Sequence, residues 1–217
     1  MNILITGTGG GIGQAIAEEF LANAHQVYGM DILPASIKHP EYKHFIADIT
    51  SDILPDIDPQ EIDVLINNAG IQNSGRDIDV NLKGTMRITE KYGIHPGIKS
   101  ILFIASSSAS TGSEFPEYAA SKGGVVAYMK NVALRTAKYQ TTVNSLSPGG
   151  VVSSLNDHII KDPVLWEAVL NETMLGKWAQ TEEIARWAYF LTMVNRSMTA
   201  QDILVDNGEA AKANFIW

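Results

Sequence analysis

Short, continuously apolar runs alternate along the chain with longer segments of helical periodicity, and this alternation most constrains the fold. Continuous apolar runs are typical of strands covered on both faces, as in a parallel sheet. Because strands that alternate with helices predict an α/β architecture, we expect one α/β domain over residues 1–217. Its seven-stranded, mostly parallel sheet is expected to be flanked by helices. The strands are predicted at residues 2–6, 26–30, 44–47, 64–67, 100–105, 141–146 and 203–205, and the helices at 13–23, 79–92, 118–139 and 181–193.

Two connections between these elements are short. Pro34 and Pro40 leave little room for a regular helix between the second and third strands, because proline disrupts a helix interior. Only a short polar stretch, residues 72–77, precedes the second helix. Thr181 is predicted to cap the last helix, where Glu182 and Glu183 would lie near the positive end of the helix dipole.

Composition excludes several classes of function. The 217 residues include no cysteine, which rules out disulfides and zinc–thiolate sites, and the five histidines show no metal-ligand spacing, so no metal is expected. A formal net charge of −8 argues against nucleic-acid binding. No apolar run approaches the length of about 20 residues that spans a bilayer, and the start does not resemble a signal peptide. We expect a cytoplasmic protein with a small-molecule partner and no nucleic-acid or membrane partner.

A glycine cluster follows the first strand and opens the first helix. The loop reads T-G-x-x-x-G-x-G from Thr6, rather than G-x-G-x-x-G, and Gln14 excludes a P-loop because that motif needs lysine there. Backbone N–H groups at a helix N-terminus bind phosphates, and the missing Cβ atoms let a pyrophosphate approach. The loop favours dinucleotide binding, although a flexible glycine-rich turn is the alternative. Its candidate contact residues are Gly7, Gly9, Gly10, Gly11, Ile12 and Gly13.

Asp31 stands at the end of the second strand, where an acid can accept hydrogen bonds from the adenosine ribose hydroxyls. An acid at this position also repels a 2′-phosphate, and no arginine or lysine lies in the glycine loop or beside Asp31. The nearest basic residue is Lys38. We therefore expect NAD(H) to be favoured over NADP(H) as the cofactor.

Tyr118 and Lys122 are spaced i, i+4 at the start of a predicted helix, so both side chains can point into one site. An ammonium near a phenol lowers the phenol's pKa from about 10 towards neutrality. A tyrosine of this kind can protonate a carbonyl oxygen or deprotonate an alcohol as hydride moves. The spacing is common, and a surface tyrosine beside a lysine stem is the alternative interpretation.

Taken in order, these motifs resemble the classical short-chain dehydrogenase/reductases over nearly the whole chain. The resemblance adds N-N-A-G at residues 67–70, a serine cluster after the fifth strand and P-G-G-V-V-S at residues 148–153. It implies a Rossmann-type, doubly wound domain. It also implies an NAD(H)-dependent oxidoreductase that transfers hydride between nicotinamide and a secondary alcohol or ketone.

The resemblance also implies residue roles. Tyr118 would be the general acid/base, Lys122 would lower its pKa and bind the nicotinamide ribose, and Asn81 would hold a water of a proton relay. Ser106 would bind the substrate oxygen, with Ser107 as the alternative. The implied cofactor contacts beyond the glycine loop and Asp31 are Asp48, Ile49, Asn68, Ala69, Gly70, Tyr118, Lys122, Pro148, Gly149, Val151 and Ser153.

The sequence departs from the family pattern in three places. The segments 32–45 and 71–80 are compressed, and Asn207 stands where the family usually shows glycine. The region of about 153–178 corresponds to the family's substrate-covering segment. Trp166 and Met174 lie in it; they would suit an apolar substrate, although helix packing explains them equally well.

Other interpretations of the sequence remain open. The apolar tail, residues 214–217, would dock on a partner subunit or over the cleft, or fray in solvent. The resemblance implies a homodimer or homotetramer packed through the helices at 79–92 and 118–139. A sugar-nucleotide epimerase or dehydratase is the alternative enzyme, although those families usually carry a larger C-terminal substrate domain. A dinucleotide-sensing protein without catalysis is the alternative outside enzymes.

Overall fold

The structure, a computed structural model, describes residues 1–113 and 115–212. The predicted tail at residues 214–217 therefore lies outside the described residues. Among the described residues, no helix is long and apolar enough to cross a membrane. Nine strands are formed by these residues: β1 (Asn2–Thr6), β2 (Gln26–Asp31), β3 (Tyr42–Ile46), β4 (Val64–Asn67), β5 (Ser100–Ile104), β6 (Thr142–Pro148), β7 (Val151–Val152), β8 (Ala179–Gln180) and β9 (Asp202–Val205).

Seven of these strands form one sheet in the order β3-β2-β1-β4-β5-β6-β9, and every neighbouring pair is parallel. The chain builds outwards from β1 to β3, then crosses to β4 and builds in the other direction. Side chains and loops at the carboxyl ends of β1 and β4 therefore flank a topological switch point, which is where open α/β sheets bind ligands. The short strands β7 and β8 pair separately.

Helices cover both faces of the sheet. The bounds are α1 (Gly11–Ala22), α2 (Thr85–Tyr92), α3 (Ser108–Thr111), α4 (Pro116–Thr136), α5 (Asp157–Ile160), α6 (Pro163–Asn171) and α7 (Thr181–Tyr189). A π-helical turn, Ile78–Gly84, leads into α2, and another, Phe190–Val194, follows α7. The core on one face is closed by α1 and α7, and the core on the other by α2 and α4. The predicted α/β class and seven-stranded sheet are confirmed, and the sheet is parallel throughout.

The compressed connection between β2 and β3 lacks a helix, as Pro34 and Pro40 predict. Residues 32–41 contain no helix, and between β3 and β4 there is only a 3-10 turn, Pro59–Glu61. Ile49, Leu54, Ile57 and Ile62 pack on the sheet from this irregular segment and are buried. These four side chains cover the part of the sheet face that an α-helix between β3 and β4 would otherwise cover.

One predicted cap is wrong by a residue. Gln180, not Thr181, is the N-cap of α7. The Gln180 side chain accepts the backbone N–H of Glu183, and the Glu183 side chain accepts the backbone N–H of Gln180. Gln180 N–H donates to Glu183 Oε2 at 2.8 Å. Because Glu183 occupies the third helical position only when Gln180 caps, this capping box fixes the start of the helix.

Candidate active site

A cavity of about 1350 Å³ follows the carboxyl ends of the central strands. Its volume exceeds the range of roughly 300–1,000 Å³ typical of small-ligand pockets. All residues proposed from the sequence to contact a cofactor line this cavity, as does Ser106. Asn81 is the one candidate site residue, apart from the alternative Ser107, that does not line it. The cofactor candidates at the wall are Gly7, Gly9, Gly10, Gly11, Ile12, Gly13, Asp31, Asp48, Ile49, Asn68, Ala69, Gly70, Tyr118, Lys122, Pro148, Gly149, Val151 and Ser153.

The turn from β1 into α1 packs too closely for side chains. A Cβ on Gly13 would lie 2.0 Å from the carbonyl oxygen of Gly7, and a Cβ on Gly7 would lie 2.6 Å from Asn68 Nδ2. Gly7 and Gly11 also have positive φ values of 78° and 54°. These positions require glycine on steric grounds, so the turn brings the N-terminus of α1 to the cavity with its backbone uncovered.

Asn68 braces this turn against β4. Its side-chain amide donates to the carbonyl oxygens of Thr6 and Gly7 at 3.0 and 3.1 Å. In return, Thr6 Oγ1 accepts the backbone N–H groups of Asn68 and Ala69 at 3.0 and 3.1 Å. The two strand ends at the switch point are therefore locked together. Sequence reasoning placed Asn68 at the cofactor but missed this bracing role, which depends on a contact between residues 62 positions apart.

Asp31 packs against the glycine turn at the end of β2. Its two carboxylate oxygens accept the backbone N–H groups of Gly9 at 2.8 Å and Leu33 at 2.9 Å. A Cβ on Gly9 would lie 2.9 Å from the Asp31 carboxyl carbon, so the absence of a side chain permits this approach. Each oxygen keeps a lone pair that can accept a ribose hydroxyl.

Asp48 is held at the cavity wall by its own turn. Its Oδ1 accepts the backbone N–H and the hydroxyl of Thr50 at 2.8 and 2.7 Å. These two hydrogen bonds hold the pKa of the Asp48 carboxyl below its usual value, and Arg76 and Arg87 lower it further by charge attraction. The carboxylate form is thus maintained beside the buried side chain of Ile49.

A chain of polar side chains ties the glycine loop to the outer strand β3. Tyr42 Oη lies 2.9 Å from Thr8 Oγ1 and 2.8 Å from His44 Nδ1, and His44 Nε2 lies 2.9 Å from the carbonyl oxygen of Leu33. Since a carbonyl only accepts, His44 Nε2 carries a proton. A Cβ on Gly29 would lie 2.1 Å from Tyr42 Oη, so the absence of a side chain at Gly29 leaves room for the Tyr42 ring. This network spans the region where the compressed connection provides no helix.

Lys122 and Tyr118 meet at the centre of the cavity wall. Lys122 is buried, its Nζ donates to the carbonyl oxygen of Ile104 at 3.0 Å, and it lies 5.7 Å from the centroid of the Tyr118 ring. A Cβ on Gly70 would stand 3.4 Å from Lys122 Nζ. The first turns of α4 and the ends of β4 and β5 thus bring an ammonium and a phenol to one place.

Asn81 lies behind this wall, within the π-helical turn before α2. Its side chain accepts the N–H of Ile71 and donates to the Ile71 carbonyl oxygen, both at 2.8 Å, and donates to Ser121 Oγ at 3.0 Å. The residue is almost fully buried. π-Helical turns are frequent at functional sites. The side chain of Asn81 fixes the backbone at Ile71 and one end of α4.

The two candidate serines differ in their surroundings. Ser106 lines the cavity, and its Oγ accepts the N–H and the hydroxyl of Ser108 at 3.2 and 3.0 Å. Both bonds use lone pairs, so the Ser106 hydroxyl proton is left to donate. Ser107 does not line the cavity, and its N–H donates to the Pro148 carbonyl oxygen at 2.8 Å.

The segment that follows Ser153 carries two short helices, α5 and α6, over the cavity. Trp178 packs directly on Gly150, where a Cβ would lie 2.1 Å from the indole, and it lines the cavity. Trp166 packs edge-to-face on Trp178 with ring centroids 5.3 Å apart. Met174 packs against Gly208. Neither Trp166 nor Met174 lines the cavity, so the structure gives them packing roles.

A family model described as enoyl-(acyl carrier protein) reductase matches residues 44–209, most of the chain. The chain belongs to the short-chain dehydrogenase/reductase family. It is therefore an oxidoreductase that acts on CH–OH or keto groups. Glucose 1-dehydrogenase of Gluconobacter oxydans is 28% identical to this dehydrogenase/reductase over 249 aligned positions, which cover 98% of this chain and 93% of that protein.

Solved structures of the family share the fold of this dehydrogenase/reductase. 4-Hydroxyisoleucine dehydrogenase complexed with NADH aligns with a TM-score of 0.88 at 24% identity, over 98% of this chain and 99% of that one. ElxO with NADP bound aligns with a TM-score of 0.82 at 23% identity, over 97% and 99% of the two chains. These likenesses confirm the Rossmann-type, doubly wound fold. Within residues 1–113 and 115–212, no group of acids and histidines is arranged to hold a metal ion.

Proposed function

We propose that this chain transfers hydride between NAD(H) and a secondary alcohol or ketone, with Tyr118 as the general acid/base. The observation that carries the proposal is the convergence of Tyr118, Lys122 and the Ser106 hydroxyl at one cavity beneath the glycine turn. A phenol, an ammonium and a hydroxyl donor supply the proton transfer and the charge stabilisation that carbonyl reduction requires.

The residues present fit a dinucleotide. The glycine turn offers bare backbone at the N-terminus of α1, Asp31 offers carboxylate oxygens for ribose hydroxyls, and Ile49 offers an apolar surface for an adenine ring. A nicotinamide bound beyond Gly70 would supply or accept the hydride. A relative of the same fold, 4-hydroxyisoleucine dehydrogenase, has a structure with NADH, and ElxO has one with NADP, which supports a nicotinamide cofactor.

The preference for NAD(H) over NADP(H) rests on Asp31. The residues that line the cavity after it, Ile32 and Leu33, are apolar and carry no charge to hold a 2′-phosphate. The carboxylate would face that phosphate at short range, and like charges repel. A cofactor with free ribose hydroxyls instead gives Asp31 two hydrogen-bond donors.

The chain's own residues would divide the proton chemistry as follows. During ketone reduction Tyr118 gives its phenolic proton to the carbonyl oxygen, and Ser106 donates a hydrogen bond to the same oxygen as negative charge develops there. Lys122, anchored on the Ile104 carbonyl, stabilises the phenolate that remains. Asn81 would keep the relay's water near Lys122. Alcohol oxidation runs through the same groups in reverse.

Replacing Tyr118 tests the assignment. Tyr118→Phe keeps the ring but removes the proton, and general acid/base groups contribute about 10²–10⁴-fold, so we expect kcat to fall by at least about a hundredfold. NADH binding, measured by fluorescence titration, should stay unchanged. Tyr139→Phe, at the far end of the same helical segment, is the matched control. Normal turnover by Tyr118→Phe in a ketone panel with NADH would reject the role.

We further propose that residues 1–217 form one domain, in which residues 153–178 cover the substrate. We also propose that two or four copies of the chain assemble through α2 and α4. Leu134 on α4 is 79% exposed, and Met86 on α2 is 38% exposed, which supports an apolar contact there. The cytoplasmic location stays a prediction from composition.

A further inference from the structure

Two acidic side chains, Glu172 and Glu209, line the cavity and have no role in the proposed cofactor binding or proton transfer. Glu209 lies in the turn after β9, half-buried, and its Oε2 lies 2.8 Å from where a Cβ on Gly149 would stand. Gly149 and its neighbour Gly150 lead directly to Val151 and Ser153, which the family resemblance implies as contacts of the cofactor's nicotinamide end. Glu209 therefore faces the part of the cavity where a substrate would approach the nicotinamide.

The Glu209 carboxylate is incompletely paired within the protein. The N–H of Gly150 donates to it, but no ion pair or side-chain donor reaches it from the described part of the chain. Lys212, three residues later, directs its ammonium to the carbonyl oxygens of Asn171 and Thr173 instead. Burial raises the pKa of the Glu209 carboxyl, the Gly150 N–H lowers it, and Asp206 and Glu172 raise it by repulsion, for a net increase.

A half-buried carboxylate with unused lone pairs is stabilised by donors that arrive with a ligand. An ionised carboxylate only accepts hydrogen bonds and offers about four lone-pair sites, so neighbouring hydroxyls are suitable donors. An anionic substrate would meet repulsion from Glu209 and Glu172, which also lines the cavity. A cationic substrate would be attracted by these two carboxylates and repelled by Lys212 at the same wall, so amino alcohols are the competing class that the experiment below includes. A neutral molecule with several hydroxyls satisfies all three side chains.

We propose that Glu209 is a specificity-determining residue that accepts hydrogen bonds from hydroxyls of an uncharged, polyhydroxylated substrate, such as an aldose or an alditol. The inference rests on the proposed hydride-transfer function and names its substrate class. The oxidised carbinol would lie at Tyr118 and Ser106, while a second hydroxyl of the same molecule binds Glu209. Trp178, buried at the same wall, limits the space beside it.

The experiment compares substrate classes in wild type and Glu209→Gln. With NAD⁺, the panel contains neutral aldoses and alditols, the single-hydroxyl alcohols 2-butanol and cyclohexanol, anionic hydroxy acids and amino alcohols; with NADH, it contains a 3-oxoacyl thioester. A hydrogen bond to a charged group contributes enough that Glu209→Gln should lower kcat/KM for aldoses by about 10- to 100-fold, mainly through KM. Values for single-hydroxyl alcohols should change by less than about twofold. Glu167→Gln, exposed on α6 outside the cavity, is the matched control.

The pH profile separates recognition from a merely structural role. Because protonation removes the acceptor, kcat/KM for the aldose should fall as pH decreases through the raised pKa of Glu209. This fall of kcat/KM at low pH should be absent from the Glu209→Gln variant and from the wild-type profile with 2-butanol. NADH affinity should be equal in both proteins.

Failure of the hydride-transfer proposal and failure of the substrate-class proposal would give different experimental results. If no alcohol or ketone of the panel reacts with either nicotinamide cofactor, the hydride-transfer proposal fails. If single-hydroxyl alcohols, hydroxy acids, amino alcohols or the thioester react at least as well as aldoses and alditols, only the substrate class is overturned. An equal loss on every substrate in Glu209→Gln would likewise overturn the role of Glu209 in specificity.

Discussion

At the residue scale, Asp31 and Gly9 act as a pair. Gly9 lacks the side chain that would collide with the Asp31 carboxylate, and its N–H donates to that carboxylate at 2.8 Å. The acid is therefore oriented before any ligand binds. An oriented acceptor loses less conformational freedom on binding than a free side chain, which favours affinity for ribose hydroxyls.

Replacing Asp31 should change cofactor preference. Asp31→Ser removes the negative charge and keeps a small polar group, so we expect the ratio of kcat/KM for NAD⁺ to that for NADP⁺ to fall by roughly 10- to 100-fold. Steady-state kinetics with both cofactors measures the ratio. Asp52→Ser, at an exposed position distant in sequence, serves as the control. An unchanged ratio would assign the preference to another residue.

The two serines give a second prediction at this scale. Ser106→Ala removes the donor at the cavity wall, and loss of one such donor costs about 10²–10³ in kcat. Ser107→Ala should leave kcat within about threefold, because that side chain is not at the wall. Kinetics of both variants on one ketone decides between them. The reverse order would move the substrate oxygen to Ser107.

Patterns in the sequence singled out candidate residues that line one cavity of the structure. The glycine turn, Asp31 and the Tyr118–Lys122 pair each have a local signature. Glu209 has none, because a single acid in a turn becomes informative only when β9 is known to end beside Gly149. The hydrogen bonds of Asn68 to the glycine turn and those of Tyr42 to Thr8 were not predicted for the same reason, because each joins residues far apart in the chain.

At the element scale, a buried aspartate organises the compressed segment before α2. Asp77 accepts the N–H groups of Asn73 and Ser74 at 2.9 Å each and the Ser74 hydroxyl at 3.0 Å. Burial raises the pKa of this carboxyl, but the hydrogen bonds from Ser74 and Asn73 outweigh burial and hold the pKa below its usual value. This turn leads into the π-helical turn that carries Asn81.

Replacing Asp77 should therefore destabilise the protein in a pH-dependent manner. Asp77→Asn should lower the free energy of unfolding by about 1–3 kcal/mol at neutral pH. Because the folded-state pKa is depressed, the carboxylate contributes its full stability above the unfolded pKa and loses it as pH falls through the folded one. Urea unfolding at neutral pH and at about pH 4 should show the difference between variants shrinking. A constant difference would mean that the neutral acid is bonded equally well.

Strands were easier to predict than the helices within residues 153–178. The central strands β1, β4 and β5 are buried and mostly apolar, the outer strands β3 and β9 are partly exposed, and the predicted bounds of the seven sheet strands match to within two residues. Helices α5 and α6 were not predicted because they are short and contain no fully buried residue, although Trp166, Val169 and Leu170 of α6 have the spacing of an apolar helix face. A local signal was present in Asp162 and Pro163, since the Asp162 carboxylate caps α6 by accepting the N–H of Val164 at 2.9 Å. Asn207 illustrates a tolerated departure, because asparagine accepts the positive φ of 56° there.

At the scale of the whole molecule, the sheet order sets where function resides. Residues from β1, β2, β4, β5 and β6 reach one cavity because all carboxyl ends lie on the same side of a parallel sheet. The proposed site therefore draws on residues from Gly7 to Glu209 and depends on the complete sheet. We expect that the activity is lost cooperatively with unfolding.

The proposed assembly is tested at this scale. Leu134→Glu places a charge on the exposed part of α4, and burying an unpaired charge opposes association. Multi-angle light scattering should report a dimer or tetramer for the wild type and a smaller species for the variant. Leu175→Glu, also exposed but away from α2 and α4, should keep the wild-type mass. A monomeric wild type would remove the assembly proposal.

The compressed connection between β2 and β3 has a further consequence at β3, the outer strand of the sheet. An outer strand can recruit strands from other molecules, which is a common route to aggregation. Lys43 lies in the middle of β3, exposed, with its ammonium 4.9 Å from the centroid of the Phe45 ring. Lysine on an outer strand opposes such recruitment, because a second strand would have to desolvate its charge. Because no helix lies beside β3 in the chain, we expect Lys43 to contribute directly to protecting this outer strand from aggregation.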